Sequence, residues 1–182
     1  MTIVDPIEDI IARRGAEACL GEDVTQAQHT LQAATRTERG GGSDAMVAAA
    51  LLHDIGHFIG EFGQDYIEKG VDNRHEDAGA AILELWFPPE VVEPVRLHVT
   101  TKRYLCATDS SCFGKLPEAS VGTLALQGGP MVTEEVAAFE RNRHRDIAVE
   151  VRLWDERAKD PEMATSDFGR LRLVLEQLAR AA

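Results

Sequence analysis

Apolar positions recur at helical spacing almost from end to end of the chain. In residues 5–20, Ile7, Ile10, Ile11 and Ala18 fall on one stripe. Thr25 is placed to cap a second helix reaching about Thr37, which Gly40-Gly41-Gly42 ends. Ser43 is the natural cap of a third, whose run from Met46 through Leu52 is apolar on every side, the pattern of a central helix. Residues 60–73 read as a loop. Helices are predicted again over 74–86 and, beyond Pro88-Pro89, over 90–105. Residues 109–129 read as short helices and turns stopped by Gly128-Gly129-Pro130. The last helices begin at Thr133, at His144 and at Asp167. No stretch alternates long enough to make a strand, and no repeat or linker interrupts the pattern. The expected class is all-α, one domain over residues 1–182.

Composition narrows the function. With 182 residues, 44% hydrophobic and 27% charged, the chain is long enough to bury a sizeable core. Its net charge of -12 opposes a nucleic-acid backbone, so no nucleic-acid partner is expected. A small anion remains compatible wherever metal ions and a lysine reverse the local potential. The longest apolar run, 46–52, is too short for a bilayer, and the first nine residues lack a signal pattern. Cys19, Cys106 and Cys112 form no CxxC and are expected to be reduced thiols in a cytoplasmic protein. No apolar stripe marks a dimer face, so a monomer is expected.

The candidate chemistry lies in the histidines. His53-Asp54-Ile55-Gly56-His57 directly follows the apolar run. An imidazole and a carboxylate side by side at the end of a buried helix are costly unless paired, and a metal ion removes that cost. His53 and His57 are four apart on one helix face, and Asp54 offers two oxygens that can bridge two ions. Gly56 permits a close approach by another backbone or by a substrate. His29, His75 and His98 also sit in helical contexts. Any one alone reads as a structural or surface histidine; together with the HD pair, shared metal ligation is the better reading. Asp155, in Trp154-Asp155-Glu156, supplies a further carboxylate, although locally it reads as a surface aspartate. His144, between two arginines, reads as solvated.

In this order, His29, then His53-Asp54, then a distant Asp155, the residues resemble the HD-domain superfamily, many of whose members are phosphohydrolases; added His75 and His98 resemble its dinuclear subset. The chain is most similar to the mixed-valence di-iron oxygenases that cleave the carbon–phosphorus bond of 1-hydroxy-2-aminoethylphosphonates. The likeness runs from about residue 21 to 159, through Gly21-Glu22, Gln26 to His29, Ala49 to His57, His98 with Lys102-Arg103-Tyr104-Leu105, Leu126 to Met131, and Trp154-Asp155-Glu156.

This resemblance implies two iron ions, Fe(II)/Fe(III), held by His29, His53, Asp54, His75, His98 and Asp155, with no other catalytic side chain. It implies a small hydroxyphosphonate and O2 as partners. His57, Lys102, Ser120 and Thr123 would surround the phosphonate, and Glu22 would receive the substrate's ammonium. Aminoethylphosphonate oxygenases carry a capping tyrosine three residues before that glutamate, where this chain has Cys19. A smaller residue leaves room for a trimethylammonium group, so 1-hydroxy-2-(trimethylammonio)ethylphosphonate, giving glycine betaine and phosphate, is the expected substrate. Alternatives are the primary-amine analogue, giving glycine, and hydrolysis of a phosphate ester by a metal-bound hydroxide on the same ligands.

Overall fold

The computed structural model describes residues 2–16, 23–59, 69–116 and 118–180. Every regular element among them is helical: α1 (Val4–Arg14), α2 (Gln26–Arg39), α3 (Asp44–Leu52), α4 (Ile55–Ile59), α5 (His75–Leu83), α6 (Pro89–Arg96), α7 (His98–Thr108), α8 (Cys112–Lys115), α9 (Glu118–Leu126), α10 (Thr133–Glu140), α11 (Arg145–Glu156) and α12 (Phe168–Leu178). The all-α class is as expected. None of the described helices is long and apolar enough to cross a membrane.

The centre is α3. Residues 47–52 are all buried, because a helix apolar all round can face water nowhere. It packs on α2, α6, α11 and α12. The Thr25 and Ser43 caps follow the sequence reading. Thr25 accepts from the Gln28 backbone while the Gln28 side chain returns the bond, a reciprocal capping box. Ser43 caps α3, and Asp167 caps α12 through Arg170.

Three boundaries differ from expectation. α1 ends at Arg14, ahead of the expected residue 20, and residues 17–22 lie outside the described set. α5 runs from His75 to Leu83 rather than over 74–86: Arg74 adopts a left-handed backbone, φ 45°, which delays its start, and the chain turns after Leu83. The single helix expected over 90–105 is two. Pro94 cannot donate to Glu90, which weakens the segment, and Leu97 leaves helical geometry at ψ 1°. The break redirects the chain so that His98 opens α7.

The cysteines also depart from expectation. Cys106 and Cys112 are joined in a disulfide rather than standing as thiols. The α7–α8 turn folds back through Asp109, whose carboxylate accepts from the Ser111 backbone, and brings the two Cα atoms to 5.0 Å. Cys19 lies outside the described residues.

Candidate metal centre

Four helices and the α3–α4 turn deliver the expected residues to one buried place. His29 comes from α2, His53 and Asp54 from the turn ending α3, His75 opens α5, His98 opens α7 and Asp155 sits in the last turn of α11. All six are under a tenth exposed. The Asp54 carboxylate lies in the middle. Its Oδ2 faces His53 Nε2 at 3.4 Å and His29 Nε2 at 3.8 Å, while Oδ1 faces His75 Nε2 at 3.5 Å and His98 Nε2 at 3.9 Å. Asp155 Oδ1 is 2.9 Å from His29 Nε2 and 3.5 Å from His53 Nε2, and its Oδ2 is 3.7 Å from His98 Nε2. One oxygen of Asp54 thus faces each pair of imidazoles, the layout of a bridging carboxylate between two ions.

The protons show that these residues fit metal. His29 Nδ1 donates to the Ala158 carbonyl at 2.9 Å, and His53 Nδ1 donates to the Ala50 carbonyl at 2.8 Å. As neutral imidazoles, both rings then carry a lone pair on Nε2, and those two nitrogens face each other at 3.2 Å. Two lone pairs at that distance repel unless a proton or a metal cation lies between them. Such outer carbonyls are the usual means of fixing a ligating imidazole. The Ala158 carbonyl is itself held in place. Buried Gln32, one turn beyond His29, donates to the Asp160 carbonyl at 2.6 Å and accepts from its N–H at 3.1 Å.

Electrostatics point the same way. Burial opposes charge on His53, yet Asp54 and Asp155 lift it well above the ordinary histidine value. Burial works against ionisation of Asp54 too, but His53 and the other imidazoles hold its carboxyl well below the usual range. Burial pushes His75 and His98 well below theirs, helped by His57 in one case and Arg152 in the other. Buried carboxylates that stay ionised, beside His75 and His98 held neutral and a His53 that draws a proton where a metal ion would sit, are a cation-binding set. Three such groups stand out among the described residues: His29, His53 and Asp155; His53, Asp54 and His98; and Asp54, His57 and His75.

Residues 27–111 match the HD domain family. A protein of Leisingera caerulea named [1-hydroxy-2-(trimethylamino)ethyl]phosphonate dioxygenase (glycine-betaine-forming) is 49% identical over 166 residues, 91% of this chain and 85% of the relative. The chain belongs to the HD-domain hydroxyphosphonate dioxygenases. A further relative, the hydroxymethylphosphonate dioxygenase of Gimesia maris, is 42% identical over 148 residues, 81% of this chain and 74% of the relative. The chain is therefore a metal-binding dioxygenase of a small-molecule substrate.

Lys102, Thr123 and Ser120, of the residues expected to surround the phosphonate, are joined by hydrogen bonds. Lys102, one turn beyond His98 on α7, is buried and donates to Thr123 Oγ1 at 3.0 Å. Thr123 in turn donates to the Ser120 carbonyl at 3.1 Å, so Ser120 joins the group through its backbone. Burial, with repulsion from Arg152, pulls the Lys102 ammonium down to about 7 although Asp155, Asp54 and Glu76 oppose it. His57 stacks on His75 with ring centroids 3.9 Å apart. Cys19 and Glu22 lie outside the described residues. His144, expected to be solvated, sits on the surface at the start of α11, where Arg143 donates to it.

Two participants were not read from the sequence. Arg152, three residues before Asp155 on the same face of α11, is 6% exposed. Its Nη1 is 2.6 Å from Asp155 Oδ2 and 3.0 Å from His98 Nε2. Asn73, 3% exposed, touches both His75 and His57. The i,i+3 spacing of Arg152 from Asp155 was the one available signal for the arginine.

Proposed function

We propose that the chain uses O2 to cleave the carbon–phosphorus bond of 1-hydroxy-2-(trimethylammonio)ethylphosphonate, giving glycine betaine and phosphate. One observation carries this reading: the 49% identity, over 91% of the chain, with an enzyme named for that reaction. We also propose the ligands. His29, His53, Asp155 and one oxygen of Asp54 hold the first ion; His75, His98 and the other oxygen of Asp54 hold the second. The ions are proposed to be iron, Fe(II) beside Fe(III), since imidazole and carboxylate suit iron in both states. Bound there, the pair would supply the oxygen activation and electron transfer that oxidise the carbinol carbon.

The remaining work belongs to the side chains. Lys102, Ser120, Thr123 and His57 surround the phosphonate, and Arg152, paired with Asp155, adds a second buried cation near Lys102. Their role is positioning: they fix the carbinol carbon in one orientation. Burial of the six ligands keeps bulk water away from the reacting centre. No side chain need act as nucleophile, because both oxygen atoms needed to make a carboxylate and a phosphate come from O2. As the resemblance implies, Glu22 would receive the cationic head group, where attraction without a donated hydrogen bond suits a trimethylammonium.

Side-by-side kinetics test the head-group assignment. The trimethylammonium substrate is expected to exceed the primary amine in kcat/KM, and Cys19→Tyr is expected to lower its value by at least about tenfold through crowding. A wild-type preference for the primary amine would overturn the head-group assignment. Turnover under strict anaerobiosis would overturn the oxygenase.

The lysine gives a pH dependence. An ammonium that titrates at about 7 loses its charge as pH rises through that value. The KM for the hydroxyphosphonate is therefore expected to climb above neutrality, by up to about tenfold per pH unit. In Lys102→Arg the cation persists and the climb should flatten. The substrate titrates equally in both proteins, so the difference between the two KM profiles isolates the lysine.

A further inference from the structure

We infer that Asn73 assigns opposite protons to two stacked histidines, making His75 a metal ligand and His57 a hydrogen-bond donor to the substrate anion. The inference rests on the reading of His75 as a ligand. Asn73 Oδ1 lies 3.0 Å from His75 Nδ1. An amide oxygen only accepts, so the proton of His75 sits on Nδ1 and its Nε2 turns a lone pair toward Asp54. Glu76 Oε2, 3.5 Å from the same Nδ1, favours the same tautomer. With the oxygen so committed, the other arm of the amide is the donor. Asn73 Nδ2 lies 3.2 Å from His57 Nδ1 and places a hydrogen on it, so the proton of a neutral His57 sits on Nε2.

The consequence for ligation is specific. A His57 ring nitrogen stands within 4.8 Å of the donor atoms of Asp54 and His75, close enough for His57 to count among the possible ligands. With Nε2 protonated and Nδ1 accepting from Asn73, neither nitrogen of His57 can ligate, and Nε2 serves as a donor instead. Reversing the amide would have the opposite effect, placing a proton on His75 Nε2 against Asp54 and closing that position to metal. The surroundings keep the amide in register. Asn73 is buried, its neighbour Arg74 is held in the left-handed conformation that opens α5, and the two rings stack within 18° of parallel. Asn73 is thus a positioning residue acting through both rings.

The carboxylate introduced by Asn73→Asp would accept on both arms. His75 should keep its tautomer and the protein its metal, while the His57 proton moves to Nδ1 and its role as an Nε2 donor ends. Imidazole ¹⁵N–¹H spectra of the zinc-loaded protein read this directly. In the unmodified chain, His75 is expected as Nδ1–H with Nε2 shifted by zinc, and His57 as Nε2–H. In Asn73→Asp, His57 should become Nδ1–H at unchanged zinc content. The iron-loaded variant should show a KM for the hydroxyphosphonate about tenfold to a hundredfold higher, the range for losing a hydrogen bond to a charged group. Its kcat should stay within about threefold, the split expected when binding rather than chemistry is lost. His57 found as Nδ1–H in the unmodified chain, with His75 Nε2 bound to zinc, overturns this inference alone. A His75 Nε2 that ignores zinc overturns the ligand reading as well. The unmodified chain's spectrum decides the matter even if the variant does not fold.

Discussion

Asp54→Asn is expected to cost the protein one of its two ions and nearly all of its turnover. The substitution preserves volume and one oxygen, but the amide nitrogen cannot ligate. The carboxylate faces two imidazoles with each oxygen, so one pair, His29 with His53 or His75 with His98, must lose its shared anionic donor. The first pair keeps Asp155 within 3.5 Å, whereas His75 has no second carboxylate oxygen that close at its Nε2 among the described residues. The second ion should therefore be the one lost. Losing an outer partner of a metal ligand costs about tenfold to a hundredfold, so a lost bridging ligand should cost on the order of a thousandfold or more in turnover. Metal analysis after anaerobic iron loading should fall from two ions toward one per chain, with oxygen uptake falling in step. Circular dichroism should stay helical, since the core packs around α3 without help from this carboxylate. A variant that still held two ions and consumed oxygen normally would mean that Asp54 is not the bridge.

Much of this site was legible in the sequence because metal ligation leaves a chemical trace. An imidazole and a carboxylate at the end of an entirely apolar helix have no cheap structural role, so His53-Asp54 stood out unaided. His29, His75, His98 and Asp155 did not; each fits a solvated helix face, and only the pair gave them a common purpose. Arg152 was hidden for a related reason. α11 carries Arg145, Arg152 and, just beyond it, Arg157, so one more arginine reads as surface, and only the folded contacts bury this one against Asp155. Asn73 lay in what reads as a loop, where asparagine is ordinary turn chemistry.

The helical class was equally plain, since periodicity records which faces are buried. What periodicity missed was the break at Leu97. Val91, Val95 and Val99 continue one stripe across it, all of them buried, so the pattern of burial is unbroken while the backbone is not. The spacing of Cys106 and Cys112 was likewise silent on pairing, because six residues close into a disulfide only if a turn such as that at Asp109 lies between them.

Gly56→Ala is expected to separate the two metal positions from the opposite side. A Cβ at residue 56 would stand 1.9 Å from the His75 carbonyl oxygen and 2.7 Å from its carbonyl carbon. Both are backbone atoms at the start of α5, so no side-chain rotation relieves the clash. Ordinary contact requires α4 and α5 to part by more than about an ångström. The α4–α5 seam has no slack to absorb this: a Cβ on Gly79, facing back from α5, would itself meet the Gly56 nitrogen at 3.2 Å and an Ile55 methyl at 3.0 Å. Overpacking of this kind costs roughly 1–3 kcal/mol of stability, visible as a lower melting temperature. The larger effect falls on the site. His75 is carried by the backbone that must move, whereas His29 and Asp155 are held by α2 and α11 and His53 by the end of α3, and the three atoms nearest the new methyl all belong to His75. One ion should bind almost normally and the second weakly. A displacement near an ångström at a reacting centre costs about a hundredfold in rate, so turnover should fall at least that far while the first site still fills. Iron titration followed spectroscopically, run beside oxygen uptake, should show one tight and one weakened site. Two sites of undiminished affinity, or loss of both together, would place the origin of the defect away from His75.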